Sequence, residues 1–381
     1  MKDRILLSSP HMSGKEKGYV EEAIESNWVT PLGPFVDKME AMLSSYTNVP
    51  YCAVLNSGTS AIHLALKLSG VSEGDYVLCQ SMTFSASANP IVYEHAHPIF
   101  IDSELDTWNI CPLALEEALQ DLQLKGIRPK ALIVVHLYGM PAKMNEIITI
   151  CKKYNVVVIE DAAEAIGSKY HNQSCGGIGE FGILSFNGNK LITTSGGGAL
   201  LSSNEAVIKE AKFLATQAKD IAPHYQHSKI GYNYRLSNIS AAIGVAQLEV
   251  LEERVMARRS NHDFYLNALN HIDCLSFLEE PTGSYSNRWL SCFILDPRKS
   301  KSLTSEDIRL ALEEENIETR PLWKPMHLQP VFKDELYYGG HVASDLFENG
   351  LCLPSGSNLK KEDLERVTHT LLKIFRNATL A

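Results

Sequence analysis

No stretch of the 381 residues approaches the apolar length of a membrane span, and Met1 to Pro10, with Lys2, Asp3 and Arg4, lacks the apolar core of a signal peptide. A cytoplasmic location is the expectation. Positive charge is also short: 35 Lys and Arg stand against 45 Asp and Glu, a formal net charge of -10. That balance disfavours a general attraction to nucleic acid or to an anionic membrane, and no helix-turn-helix or basic arm is visible. The eight cysteines (Cys52, Cys79, Cys111, Cys151, Cys175, Cys274, Cys292 and Cys352) form no C-x-x-C pair. Several sit in apolar runs such as Tyr76 to Cys79, so they read as reduced, buried thiols. No His or Cys spacing resembles a metal-ligand set, and no metal is expected. Internal repeats, low-complexity tracts and Pro-rich linkers are missing too.

What remains is the composition of a soluble globular protein, 45% hydrophobic and 21% charged. Its length exceeds what one hydrophobic core usually organises, so a large domain with a smaller partner is expected. From about Tyr51 to Leu201, short apolar runs alternate with amphipathic stretches, the pattern of parallel strands joined by helices. Ala53–Leu55, Tyr76–Leu78, Ile99–Ile101, Ala131–Val135, Val156–Ile159, Ile183–Phe186 and Ala199–Leu201 predict seven strands of one sheet. Helical spacing over Thr59–Leu68, Leu113–Leu124 and Met144–Lys153 covers both of its faces. Ser237–Arg259 reads as one long helix leaving the sheet, and the rest as a small α+β unit with a strand at Trp289–Leu295. The expected division is 1–245 and 246–381, with the first thirty residues packed against one or both parts.

Three segments carry chemistry. The strand Val156–Ile159 ends in Glu160 and Asp161 and passes into small residues, which puts Asp161 at a carboxyl end of the sheet, where open α/β folds bind ligands. Taken alone, Asp161 equally reads as a helix cap. Lys190 lies just past a strand end among small and polar residues, followed by Gly196-Gly197-Gly198, which permits close backbone approach. A desolvated lysine amine there can form a Schiff base with a carbonyl, although a surface charge or salt bridge explains the lysine about as well. Asn56-Ser57-Gly58-Thr59 ends a strand and opens a helix, a natural phosphate cradle or a simple N-cap. Together the three meet the needs of pyridoxal phosphate: a paired ring nitrogen, a held aldehyde and a held phosphate.

With this set the sequence resembles, over essentially its whole length, the fold-type I aminotransferases that act on nucleotide-linked keto-sugars, the DegT/StrS group. The anchors are Asn56–Thr59, Thr83-Phe84, Val135–Gly139, Glu160–Glu164, Ser185-Phe186 with Lys190, Tyr232–Arg235, and Glu318–Trp323 with His327. The resemblance implies an α/β fold with a mostly parallel seven-stranded sheet between helices, plus a smaller α+β domain. It implies that Lys190 holds pyridoxal 5'-phosphate, Asp161 pairs with the ring nitrogen, Phe84 stacks on the ring, and Gly58, Thr59 and Ser185 hold the phosphate. Asn233 is implied to reach the phosphate of a neighbouring subunit, making a homodimer with shared active sites. Asn27, Trp28, Val29 and Thr30 resemble the family's sugar- or nucleotide-contacting loop. Arg235 and Arg320 are expected on the substrate diphosphate, with Trp323 and His327 nearby, although each arginine alone also reads as a salt-bridge partner and His327 alone as a satisfied structural histidine.

Two positions depart from the commonest pattern: Asn187 stands where many members have histidine, and Glu164 where many have glutamine. An ionised Glu164 cannot donate a hydrogen bond to the cofactor, as an amide can. These variants, with Arg320–Lys324, look most like the subgroup that makes UDP-linked 4-amino sugars, including the bacillosamine-pathway enzyme. The expected reaction moves an amino group from L-glutamate, leaving 2-oxoglutarate, to a UDP-2-acetamido-4-keto-6-deoxyhexose. The alternatives are a pyridoxal-phosphate sugar dehydratase or lyase, which the retained Lys190 argues against, and a non-catalytic cofactor-binding regulator. The run Gly176–Gly182 has neither the spacing nor the preceding strand of a nicotinamide site.

Overall fold

A computed structural model describes residues 3–380. Fifteen short strands form three sheets among the described residues. The main sheet runs β1 (Tyr51–Leu55), β9 (Gly198–Ser202), β8 (Phe181–Ser185), β5 (Val157–Asp161), β4 (Ala131–Val135), β2 (Tyr76–Gln80), β3 (His97–Ile101) and β14 (Leu336–Tyr338). Only β9 runs antiparallel to its neighbours. All seven strands expected from the apolar runs belong to this sheet. The eighth, β14, comes from far along the chain and pairs parallel to β3.

Strand alternation sorts the main sheet's side chains between two buried faces. Leu55, Val77, Phe100, Ile133, Ile159 and Ile183 pack under α3 (Gly58–Leu68), α4 (Asn89–Tyr93) and α7 (Glu205–Ala215). On the other face, Leu78, Leu132 and Val158 meet α5 (Pro112–Leu124) and α6 (Met144–Tyr154). There too, Val54, Leu184 and Leu201 meet α1 (Glu16–Glu25), α2 (Pro34–Thr47) and α8 (Asn238–Leu248).

The expected helix over Ser237–Arg259 is broken. After α8 the backbone leaves helical geometry at Val250 (φ -116°, ψ 12°), and α9 (Leu251–Leu269) sets off anew. A second, antiparallel sheet follows, ordered β10 (Leu275–Phe277), β12 (Ser291–Leu295), β15 (Gly350–Leu353) and β13 (Arg320–Pro321). Its apolar face is covered by α9, α10 (Ser305–Glu314) and α12 (Lys361–Leu380), while α11 (Val342–Asn349) flanks it. The strands β6 (Lys169–Tyr170), β7 (Gln173–Ser174) and β11 (Ser284–Tyr285) make a small third sheet. A two-domain division is our proposal, with its seam at the α8–α9 break.

Residues 5–12 form a strap between the two main sheets. Ile5 bonds Asn316 and Glu318, Leu7 accepts from the Ser355 amide, and Ser8 Oγ donates to the Asn189 carbonyl at 2.7 Å. The last contact ties the strap to the loop that carries Lys190.

Candidate active site

Asp161 ends β5 on the face that packs under α3, and its side chain is 5% exposed. One carboxylate oxygen accepts from Ser87 Oγ at 2.6 Å and the other from the Ala163 amide at 3.2 Å. Ser87 is itself fixed by Thr83 Oγ1 at 2.7 Å. No cation among the described residues pairs with Asp161, so a buried carboxylate keeps lone pairs free toward the cavity it lines.

α3 begins at the same sheet edge. Ser57 caps it by accepting from the Ser60 amide at 3.0 Å, and the Gly58 and Thr59 amides in the first turn have no intrahelical carbonyl to bond. The last glycine of the triplet has a steric reason: a Cβ at Gly198 would fall 2.4 Å from the Gly58 nitrogen. Only a glycine lets β9 run this close beneath the cradle.

Lys190 follows β8, its side chain 13% exposed. Its Nζ lies 3.6 Å from Glu164 Oε1 and 4.4 Å above the Trp289 ring. Glu164 is buried, and its second oxygen accepts from the Tyr138 amide at 2.7 Å. Burial raises the Glu164 pKa; the Lys190 charge opposes that shift without overcoming it. Tyr138 delivers its amide from a left-handed conformation (φ 54°, ψ 21°), uncommon for a bulky residue. Gly139 follows at φ +87°, where any Cβ would strike Asn287. The Tyr138 ring is stacked parallel to Trp289 and Trp323, each at 6.3 Å, and its hydroxyl accepts from the Trp323 amide at 2.8 Å.

These groups surround one cavity of about 290 Å³, lined by Gly58, Thr59, Asp161, Glu164, Ser185 and Lys190 among others. It adjoins a larger one of about 630 Å³, which includes Tyr138, Arg320 and Lys324 in its wall. Phe84, Trp289 and Trp323 line both. Phe84 is 53% exposed and tilted against Trp323 at 5.4 Å, an aromatic face open to a ligand. The Trp323 indole N–H is buried and faces Glu164 without reaching hydrogen-bond geometry. Among the described residues no cluster of His, Cys, Asp or Glu is fit to hold a metal ion.

Several expected substrate residues lie elsewhere. Arg235 is buried against Glu40, donating to its carboxylate at 2.8 Å and to the Val54 carbonyl at 3.0 Å. That correction follows from charge: a guanidinium already neutralised by a buried acid is not available to a diphosphate. His327 lines neither cavity; it bonds Ser81 Oγ at 2.7 Å, stacks on Tyr337 at 3.8 Å, and burial lowers its pKa. These contacts hold the loop after β13 against Ser81 and Tyr337. Arg320 does line the larger cavity, paired with Glu318 at 3.1 Å. Asn27, Trp28, Val29 and Thr30 form an exposed turn after α1 and touch neither cavity of their own chain. Asn233 is exposed as well, and its carbonyl accepts from Asn56 Nδ2 at 3.2 Å. Ser87 and Trp289 carry no clear signal in the sequence, and Tyr138 is marked only as part of the Val135–Gly139 anchor, with no role attached to it.

The DegT/DnrJ/EryC1/StrS aminotransferase family matches residues 10–372. The chain belongs to that family. It is 54% identical over 379 residues to EpsN of Bacillus subtilis (strain 168), assigned as a pyridoxal phosphate-dependent aminotransferase, covering 98% of this chain and 97% of that protein. It is 34% identical over 371 residues to the GDP-perosamine synthase of Escherichia coli O157:H7, covering 97% and 98%. Among solved structures, a protein from Streptococcus pneumoniae assigned as a sugar aminotransferase, in its PLP form, superposes with a TM-score of 0.88. It is 25% identical and aligns over 99% of this chain and 100% of that one. This DegT-family chain is therefore an aminotransferase dependent on pyridoxal phosphate. Its residues fit the group: a helix start with unbonded amides, a buried acid with spare lone pairs, an open aromatic face and a largely buried lysine share one cavity.

Proposed function

We propose that the protein moves the amino group of L-glutamate to a nucleotide-linked keto-sugar, a UDP-2-acetamido-4-keto-6-deoxyhexose, giving the 4-amino sugar. One observation carries this reading. Lys190 Nζ emerges between Glu164 and the Trp289 face in the cavity that also contains Asp161 and the start of α3.

When bound, the cofactor supplies a carbonyl that condenses with amines and a ring that accepts electrons. The chain's residues supply the rest. In this reading the first α3 amides, Thr59 and Ser185 bind the phosphate, Asp161 holds the ring-nitrogen proton, and Phe84 gives the ring a face. Lys190 Nζ takes a proton from the α-carbon of glutamate in one half-reaction and delivers one to C4 of the sugar in the other. Glutamate leaves as 2-oxoglutarate and the keto-sugar as its amine, so the two halves balance. The larger cavity accepts the nucleotide, with Arg320 and Lys324 as local cations on a chain of net charge -10. The identities of Glu164, Asn187 and Arg320–Lys324 support UDP. Asn233 and the turn Asn27–Thr30, exposed in the single chain, serve the cavity of a second copy in a homodimer.

The test is a reverse assay offering UDP-, TDP- and GDP-linked 4-amino sugars with 2-oxoglutarate. Glutamate should form fastest with the UDP sugar, and borohydride should fix the cofactor to Lys190 in the wild type. Fixation at another residue would sink the assignment of Lys190; preference for the GDP sugar would sink that of the nucleotide.

A further inference from the structure

The largest polar side chain that is fully buried is Arg258, 1% exposed in the second turn of α9. No Asp or Glu among the described residues pairs with it. Burial without a counter-ion lowers its pKa to about 9, so it remains a cation at neutral pH. Its hydrogen bonds all go to the surroundings of Lys190. Nη1 donates to the Trp289 carbonyl, while Nη2 donates to Ser8 Oγ at 2.8 Å and to the Lys190 carbonyl at 3.5 Å. The two other groups it holds converge on the same loop. Ser8 Oγ donates to the Asn189 carbonyl at 2.7 Å, and Trp289 Nε1 donates to that same carbonyl at 2.9 Å. The Trp289 ring in turn lies under Lys190 Nζ.

A buried, unpaired guanidinium is costly, and a helix position facing this core is ordinarily apolar. What the planar fork can do, and an apolar side chain cannot, is bind two or three carbonyl and hydroxyl oxygens from separate chain segments at once. We infer that Arg258 is a positioning residue for Lys190. It clamps the Lys190 backbone to the N-terminal strap and to Trp289, so the lysine's presentation to the cofactor depends on segments that flank the cleft. The inference rests on the proposed role of Lys190 and adds to it a requirement for α9.

The test uses the full-length protein loaded with pyridoxal phosphate and counts, by mass spectrometry, the chains fixed at Lys190 by borohydride. In Arg258→Ala, removing charged hydrogen bonds should cut the fixed fraction by about tenfold, and millimolar guanidinium ion, filling the vacated site, should restore much of it. Arg258→Lys keeps the charge but loses the fork, and should fall between the two. Thermal melting of each variant separates misfolding from mispositioning. If Arg258→Ala does not fold, Arg258→Lys decides alone, and fixation equal to the wild type overturns the clamp. So does a folded Arg258→Ala that is fixed as fully as the wild type, or whose loss guanidinium leaves unchanged. Wild-type protein fixed elsewhere than Lys190 would instead overturn the reading beneath it.

Discussion

Glu160 and Asp161 follow one another at the end of β5, so strand alternation sends their side chains to opposite faces of the sheet. On the α5–α6 face, Glu160 is fully buried and saturated. It accepts from His136 Nε2 at 2.9 Å and from the amides of Gly176, Ile178 and Gly179 at 2.8, 2.5 and 2.6 Å. The Ala142 amide donates to His136 Nδ1 at 3.1 Å, which leaves the imidazole proton on Nε2, toward Glu160. On the α3 face, Asp161 has two donors and an open cavity. The same residue chemistry thus makes a structural knot on one face and a site able to accept a ligand on the other. The difference is unspent hydrogen-bonding capacity.

Removing Glu160 should therefore act on folding. Glu160→Ala strands the His136 N–H and three buried amides, and each buried donor left without an acceptor costs about 1–3 kcal/mol. The expected result is a large drop in urea midpoint with activity per folded molecule retained. If the variant unfolds at the wild-type midpoint, the contrast between the two faces fails.

Asp161→Ala should do the reverse. If Asp161 pairs with the ring nitrogen as proposed, its loss should cut turnover about 10²–10³-fold, while the melting temperature should stay close to the wild type. Ultraviolet and visible spectra of the loaded variant would show whether the cofactor still binds. A loss of stability as large as that of Glu160→Ala would place Asp161 with the structural acids.

Arg235 sharpens the comparison from the cationic side. Its sequence neighbourhood, Tyr232-Asn233-Tyr234-Arg235, reads as a site motif, and nothing in it discloses Glu40, 195 residues earlier in the chain. Arg235→Met should lower stability by roughly 2 kcal/mol, the scale of a buried charged hydrogen bond, and leave the KM for the nucleotide sugar unchanged. A raised KM with unchanged stability would return Arg235 to the substrate.

How much could be read in advance follows the same division. Seven strands were legible because strands buried on both faces are short, nearly continuous apolar runs, and Lys190, Asp161 and Gly58 stood out as candidates because each follows one of them. β14 was not, since Leu336–Tyr338 is three residues long and joins the sheet through a partner more than two hundred residues away. The break at Val250 was hidden by apolar spacing that continues on both sides, with Gly244 the one glycine and no proline in the stretch. Tyr138, Trp289 and Arg258 owe their places to contacts between the two sheets, which local periodicity does not encode. Glu164 was legible as a departure from the family's common residue, but the sign of its pKa shift required its burial.

That sign gives the subtlest prediction. The Glu164 carboxyl has a pKa above its ordinary value, because burial outweighs the nearby Lys190 charge. In the window from the ordinary carboxyl pKa up to the folded value, the folded chain holds a proton that the unfolded chain has released. Stability must then fall as pH rises through that window. Glu164→Gln cannot titrate, and its amide oxygen can still accept from the Tyr138 N–H. The cofactor-free variant should therefore lose this part of the decline and be modestly more stable than the wild type above the window. Urea midpoints of both proteins between pH 4 and 8 test it, and parallel pH curves would mean that the Lys190 charge cancels the effect of burial at Glu164.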